Sequence, residues 1–464
     1  MKELDNYIEK KNRLILIGII LLGTALRLYH INYQSLWVDE LFSIIPTNPN
    51  LSVTSLIESC KSDQPPLFFF YIHYVFKLFG YNELIGRLAC ATIGLVSIPV
   101  IYLLGKECGD KKAGLLAAAL TTVNYFHIYY SQELRFYSMA FLLSTLSYLF
   151  FIRAYKHNRS VDYVGYILAT TGLLYTHYYG MIIFLTQAFT FLILLKYRRD
   201  KKFILSALLS GVVIVIAFSL WLPVIFSGLG EVLPHIKMPS PDFFIKYFYY
   251  YTGKDALSAS LFCFFIFLFT KTFFSKHQKD AEIVPVFLII VIWIVLSYLI
   301  PYIRSVLITP MLADRYTIVT LPAWIIVFSL GWNKINNLKL KYILALVVVL
   351  SAIINLFFFK QHYTRLKKDQ WREASNYVIS RNTLHYPLYS TVSWHFNYYF
   401  RNQPEKVSDL YSSDLSKVDK FWFLVAHFDE VEMEAQIEKL KERFVIIERQ
   451  SFFGANAVLL EQKR

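Results

Sequence analysis

The sequence predicts an all-α polytopic membrane protein of about eleven transmembrane helices, followed by a small α/β domain. Three observations predict it. The 464-residue chain is 56% hydrophobic, 18% aromatic and only 17% charged, with a mean hydropathy of +0.42, whereas soluble domains run at roughly 45–50% apolar and ~25% charged. Its lysines and arginines cluster in short runs between apolar stretches, as the positive-inside rule arranges cytoplasmic loops. Past residue 359 the long apolar runs give way to shorter helix- and strand-period patterns. The formal net charge of +14 is therefore accounted for largely by loop positions, and nucleic acid is not an expected partner. Cys60, Cys90, Cys108 and Cys263 form no CxxC pair and no metal-type spacing, so no disulfide framework is expected.

The opening residues 1–13 carry Lys2, Lys10, Lys11 and Arg13 and are placed in the cytoplasm. The first span, about 14–30, is followed by no small-residue cleavage site and is read as a retained helix. It delivers "SLWVDELFSI", with Asp39 and Glu40, to the outer side. The stretch 32–61 is polar enough to be a loop. "PPLFFFYIHYVFKLFG" is apolar but short; Pro65-Pro66 suit a helix start, and a helix lying along the outer interface is expected. The span 83–104 returns to Lys106, Lys111 and Lys112 on the inside, and 113–130 rises to "SQELRFY". The next spans, 138–152, 163–175 and 181–195, lead to "RAYKHNR", "THYYG" and "KYRRDKK" in turn, the last being the strongest cytoplasmic mark in the chain. The span 203–222 rises to an outer segment at 223–254, and 256–269 descends to "KTFFSKHQKD". Finally 283–300 rises to "PYIRSVLITPMLADRY", 317–332 descends to "NKINNLKLK", and 342–359 rises. An odd number of spans leaves the N-terminus cytoplasmic and the tail extracytoplasmic, giving domains at 1–359 and 360–464. In the tail, "DQWREASNYVISR" has helical spacing with Asp369 as a cap. "PLYSTV" and "FWFLVAH" read as strands, "DEVEMEAQIEKLKERF" as a helix, and "VIIERQ" and "SFFGANAVLLEQ" as further strands with a turn.

Threaded in this way, the unusual polar residues gather on the outer side. They are Asp39 and Glu40, Asp63 and Gln64 before the prolines, Arg87, then Gln132, Glu133, Arg135 and Tyr137, then His177 and Tyr178, and Arg304, Asp314, Arg315 and Tyr316. Singly each has an ordinary explanation. The acidic pair suits the first turn of a helix, Asp63 a turn, Arg87 a snorkelling cation, "THYY" an aromatic belt, and Asp314-Arg315 a local ion pair. Together, ionisable groups at membrane depth mark a pathway or a site. Arginines grip phosphate oxygens bidentately, and a carboxylate can take a proton from an attacking hydroxyl.

The order "LWVDELFSI", "SDQPPLFFFYIHYVFKLFG", "ELIGRLACATIGLVSIPVIYLLGK", "YYSQELRFYSM", "THYYG", "DRYTIVTLPAW" and "DQWREASNYV" resembles the membrane glycosyltransferases of family 39. That group holds the protein O-mannosyltransferases and, more distantly, the aminoarabinose transferases of lipid A. The resemblance covers about 14–359 and is densest over 36–137. It implies a GT-C fold and an inverting transfer of sugar from a polyprenyl-phosphate or -diphosphate donor to a glycan, lipid or protein acceptor at the outer face of the plasma membrane. It makes Asp39 the general base, with Glu40 orienting it or helping to position the acceptor. Arg87, Arg135 and Arg315 become the contacts of the donor phosphate, and Asp63, Gln64, Glu133, Tyr137, His177 and Tyr178 the cavity lining. Many relatives have His where this chain has Gln64. No ligand set for a metal is legible, and the resemblance leaves a divalent metal open as a cofactor. A lipid-sugar flippase or transporter would show related halves and matching broken helices, neither of which is legible; a polysaccharide polymerase or ligase lies closer in chemistry.

Overall fold

The apolar runs form helices, and polar residues at their ends satisfy the free N–H groups of the first turns. The computed structural model describes residues 2–61, 64–227, 236–274 and 283–463. Asn82 caps the helix Glu83–Cys108 by accepting from Ile85 N, Asp110 caps Lys111–Val123, Asp200 caps Lys201–Ser219, and Asn337 caps Leu338–Ile354. Asn124 breaks the expected span 113–130 into Lys111–Val123 and Tyr125–Ser131, and its side chain caps the second piece. Among the described residues six helices are long and apolar enough to cross a bilayer, or seven if Phe243–Tyr251 and Ala256–Lys271, bent by 104°, count as one span. Other segments expected as spans are shorter than the ~20 residues a straight crossing needs, among them Lys111–Val123, Ser160–Leu174 and Tyr179–Leu194. Helices at Val53–Lys61, Leu222–Ser227 and Phe243–Tyr251 occupy stretches that the sequence marks only as loop.

The chain divides into two compact units that the linear order does not foretell. One comprises Met1–Tyr29 and Pro49–His362, the other His30–Asn48 and Tyr363–Arg464. The loop after the first helix thus belongs with the tail, whereas sequence order assigns it to 1–359. The reason lies in its polar partners. Gln34 Oε1 accepts from the backbone N–H groups of Lys367 and Lys368 at 2.8 and 3.0 Å, Ser35 Oγ donates to Glu373 Oε2 at 2.5 Å, and Leu36 N donates to Tyr399 Oη at 3.1 Å.

In the first unit Arg315–Asn333, a 3-10 turn continued by a helix, is the most enclosed span, 83% buried, while Leu338–Phe359 and Lys201–Ser219 are only 17% and 22% buried. A low buried fraction with high hydropathy is the mark of a lipid-facing helix.

In the second unit the strands β1 (Leu388–Ser390), β2 (Val407–Asp409), β3 (Lys420–Ala426), β4 (Phe444–Phe452) and β5 (Ala455–Gln462) form one sheet in the order β2-β1-β3-β5-β4. β1 runs parallel to β2 and β3, and β5 antiparallel to β3 and β4. β3, "KFWFLVA", is apolar on both faces because both are covered. Phe421, Phe423 and Val425 pack with Met433 and Ile437 of the helix Glu430–Lys441, and Trp422 meets Tyr377 of the helix Trp371–Arg381 on the other side, with ring centroids 6.1 Å apart. β2 is three residues long and carries no sequence pattern of its own. Asp369 does not cap Trp371–Arg381: the cap position is Gln370. Asp369 sits instead against the β4–β5 turn, where a side chain at Gly454 would meet its Oδ1 at 2.1 Å and where φ is +64°, so only glycine fits.

Candidate functional site

In the first unit, helix ends bring together residues scattered over 250 positions of sequence. The "SQELRFY" turn follows Tyr125–Ser131, and Arg135 N donates to Glu133 O at 2.8 Å as the chain reverses into the helix Tyr137–His157. Glu133, Arg135 and Tyr137 are all buried. Cys90, one turn along from Arg87 on Glu83–Cys108, lies 3.8 Å from Arg135 O through its sulfur, which puts the face bearing the buried Arg87 toward this turn. The Pro-Pro stretch arrives through its backbone: Leu67 N donates to Tyr175 O at 2.8 Å, and Gln64 Oε1 accepts from Tyr178 N at 3.4 Å. Asp63 lies outside the described residues.

His177 is the centre of this group. Its ring meets Phe136, Tyr316 and Tyr179 edge-on at centroid distances of 4.8, 5.0 and 5.5 Å. The Arg135 guanidinium lies over Phe136 at 4.5 Å and that of Arg315 over Tyr316 at 5.5 Å. A chain of aromatic contacts therefore runs from one arginine through the imidazole to the other. Burial, and then the two guanidinium charges, push the His177 pKa down to about 3, so the ring is neutral at pH 7. Its Nδ1 accepts from Tyr179 N at 3.0 Å, which places the ring proton on Nε2. Nε2 is buried without a hydrogen-bond partner among the described residues. An N–H between two guanidinium groups is a donor set suited to an anion.

In the second unit the acidic pair occupies the short helix Val38–Ile44. Glu40 is fully buried. Its carboxylate accepts from Lys368 Nζ at 2.9 Å and from Trp37 N at 3.3 Å, closing the first turn from inside. Asp39, its neighbour, is only partly buried. Lys368 is a partner of Glu40 that the sequence does not mark; a lone lysine in a soluble-looking tail carries no signal. No group of three or more His, Cys, Asp or Glu side chains converges among the described residues.

This helical architecture with its appended sheet domain is the GT-C fold of membrane glycosyltransferases. ArnT from Cupriavidus metallidurans in the apo state superposes with a TM-score of 0.66 over 97% of this chain and 98% of that one, at 11% identity. The same protein bound to undecaprenyl phosphate gives 0.62 over 96% and 97%, at 12% identity. The archaeal oligosaccharyltransferase AglB from Archaeoglobus fulgidus, in complex with an inhibitory peptide and a dolichol-phosphate, gives 0.57 over 97% of this chain and 74% of that one, at 10% identity. Residues 63–225 match the family described as dolichyl-phosphate-mannose-protein mannosyltransferase. No curated protein sequence matches the chain.

Proposed function

We propose that this protein is a membrane glycosyltransferase that moves a sugar from a polyprenyl-phosphate donor to an acceptor hydroxyl or phosphate at the outer face of the membrane. The observation that carries the reading is the pairing of Arg135 and Arg315 around a neutral His177 whose Nε2–H has no partner among the described residues. The leaving group of such a reaction is a lipid phosphate, and its developing charge is stabilised by fixed donors in a low-dielectric site. Arg135, Arg315, His177 and Arg87 take that role. Glu133, Tyr137, Tyr178 and Gln64 line the site.

Asp39 is the proposed general base. It is the accessible member of the acidic pair, whereas the Glu40 carboxylate is engaged by Lys368 and serves to hold the helix that presents Asp39. The acceptor O–H loses its proton to Asp39 as oxygen bonds to the anomeric carbon and the bond to the phosphate oxygen breaks, with inversion. The fold match to a protein solved with undecaprenyl phosphate supports a polyprenyl donor. The basic inner loops support a cytoplasmic N-terminus and an extracytoplasmic tail.

The test uses the full chain in membrane vesicles with radiolabelled polyprenyl-phosphate sugar. Transfer of label to an acceptor is expected, falling by about 10²–10⁴-fold in Asp39→Asn. The KM for donor should rise in Arg135→Gln and Arg315→Gln. Label that crosses the bilayer still on its lipid would identify a flippase and overturn the reading.

A further inference from the structure

The helices Tyr137–His157, Ser160–Leu174, Tyr179–Leu194 and Lys201–Ser219 frame a half-open cavity that His177 does not line. It holds about 470 Å³ and is lined almost wholly by carbon, from Tyr155, Tyr163 and Phe203 at one end to Ile216 at the other. Ile216 lies thirteen residue steps along the helix from Phe203, so the groove extends for roughly 20 Å at 1.5 Å per residue, about two thirds of the hydrocarbon thickness. Its wall Lys201–Ser219 is only 22% buried, which leaves the groove facing the lipid. These dimensions suit a single acyl chain.

The mouth of the groove selects among lipids. At the Phe203 end lies "KYRRDKK", with Lys196, Arg198, Arg199, Lys201 and Lys202 against a single acid, Asp200. Arg198 is built into the mouth. Its guanidinium lies 5.1 Å from the Phe203 ring, donates to Tyr155 O, and pairs with Asp200 at 2.6 Å. The remaining four cations of the loop are exposed. Deeper in, Gln187 lines the cavity and is fully buried. Its Nε2 donates to Ser147 Oγ at 2.7 Å, while its Oε1 has no hydrogen-bond partner among the described residues. An acyl chain offers that oxygen no donor, so Gln187 does not bear on the choice of lipid.

We propose that this groove binds one anionic glycerophospholipid, with its headgroup on the "KYRRDKK" loop and an acyl chain along the cavity. Charge complementarity sets the headgroup class. Tyr179–Leu194 carries the His177 cluster at its first end and the basic loop at its last, about 24 Å apart along the axis. A lipid whose phosphate sits on the basic loop is therefore bound separately from a donor whose phosphate meets Arg135 and Arg315, and the inference stands whatever sugar or acceptor the protein uses.

The test is native mass spectrometry of the full-length protein in detergent, titrated with phosphatidylglycerol, phosphatidylcholine or undecaprenyl phosphate. Phosphatidylglycerol should be retained at least five-fold more than phosphatidylcholine. The triple variant Arg199→Gln/Lys201→Gln/Lys202→Gln changes only exposed side chains and should abolish that preference. Gly211→Leu should lower retention of phosphatidylglycerol itself, because a side chain there enters open space inside the groove. Equal retention of the two phospholipids by the unsubstituted protein would overturn the proposal, as would an unchanged preference in the triple variant. Displacement of phosphatidylglycerol by equimolar undecaprenyl phosphate would reassign the groove to the polyprenyl lipid.

Discussion

Asp39 and Glu40 are adjacent in sequence and differ in burial, and that difference is the ground for proposing a chemical role for one and a scaffolding role for the other. Glu40 is fully buried against Lys368, itself only 8% exposed. Removing one partner of such a pair leaves an uncompensated buried charge, at a cost of about 3–5 kcal/mol, whereas replacing both is much better tolerated. Thermal unfolding of detergent-solubilised protein should therefore show Lys368→Met and Glu40→Gln each well below the unsubstituted chain, with the double variant recovering part of the loss. Two single effects that simply add would argue against the coupling. His177 gives a second residue-scale expectation, with its sign set by linkage. Its folded pKa of about 3 lies below the ordinary value near 6.5. As pH falls below about 6.5 the unfolded chain takes up a proton that the folded chain does not, so stability is lost toward pH 3 at up to about 1.4 kcal/mol per pH unit. Above pH 6.5 the contribution is fully present. Between pH 7 and 4.5 the unfolding temperature should drop less steeply in His177→Gln than in the unsubstituted protein. The acidic pair, Arg135 and the "THYY" turn were legible because charged and imidazole groups stand out against apolar spans. Lys368 was not, because its partner lies 328 residues away.

At the scale of elements, the apolar runs were legible as helices, since a backbone held away from water satisfies its hydrogen bonds within the helix. Breaks were harder to see. Asn124 looks like one polar residue in a tolerable span, yet its side chain bonds His127 N at 2.9 Å and Tyr251 O at 2.8 Å, ending one helix and starting another. Competition of this kind between side chain and backbone depends on a tertiary partner that a linear pattern does not contain. Helix-to-helix approach is similarly hidden. At Gly331, on Leu321–Asn333, an added Cβ would lie 1.9 Å from the carbonyl oxygen of Phe265 on Ala256–Phe274. The obstruction is backbone and cannot rotate away, so one helix must shift. Gly331→Ala should destabilise by about 1–3 kcal/mol, read as a lowered unfolding temperature, and an unchanged value would mean that the two helices slide apart freely. Smaller elements of the tail followed the same division: β3 announces itself by seven largely apolar residues, while β2, "VSD", exists only through its pairing with β1.

For the molecule as a whole, the division into units decides what a topology experiment can establish. Sequence order suggested a cut near residue 359, but Gln34, Ser35 and Leu36 find their hydrogen-bond partners between Lys367 and Tyr399. His30–Asn48 and Tyr363–Arg464 consequently form one compact unit, and whichever side of the membrane holds the tail holds Asp39 as well. The distribution of Lys and Arg predicts a cytoplasmic position for "KYRRDKK". Tyr411, 76% exposed in the tail unit, and Arg199, exposed in the basic loop, are the reporters. In a background with the exposed Cys263 changed to serine, Tyr411→Cys should react with a membrane-impermeant maleimide in intact cells, and Arg199→Cys only after permeabilisation. The reverse pattern would put Asp39 in the cytoplasm and remove it from any reaction at the outer face. Labelling of both cysteines in intact cells would place the basic loop outside, against the charge distribution on which the threading of every span depends.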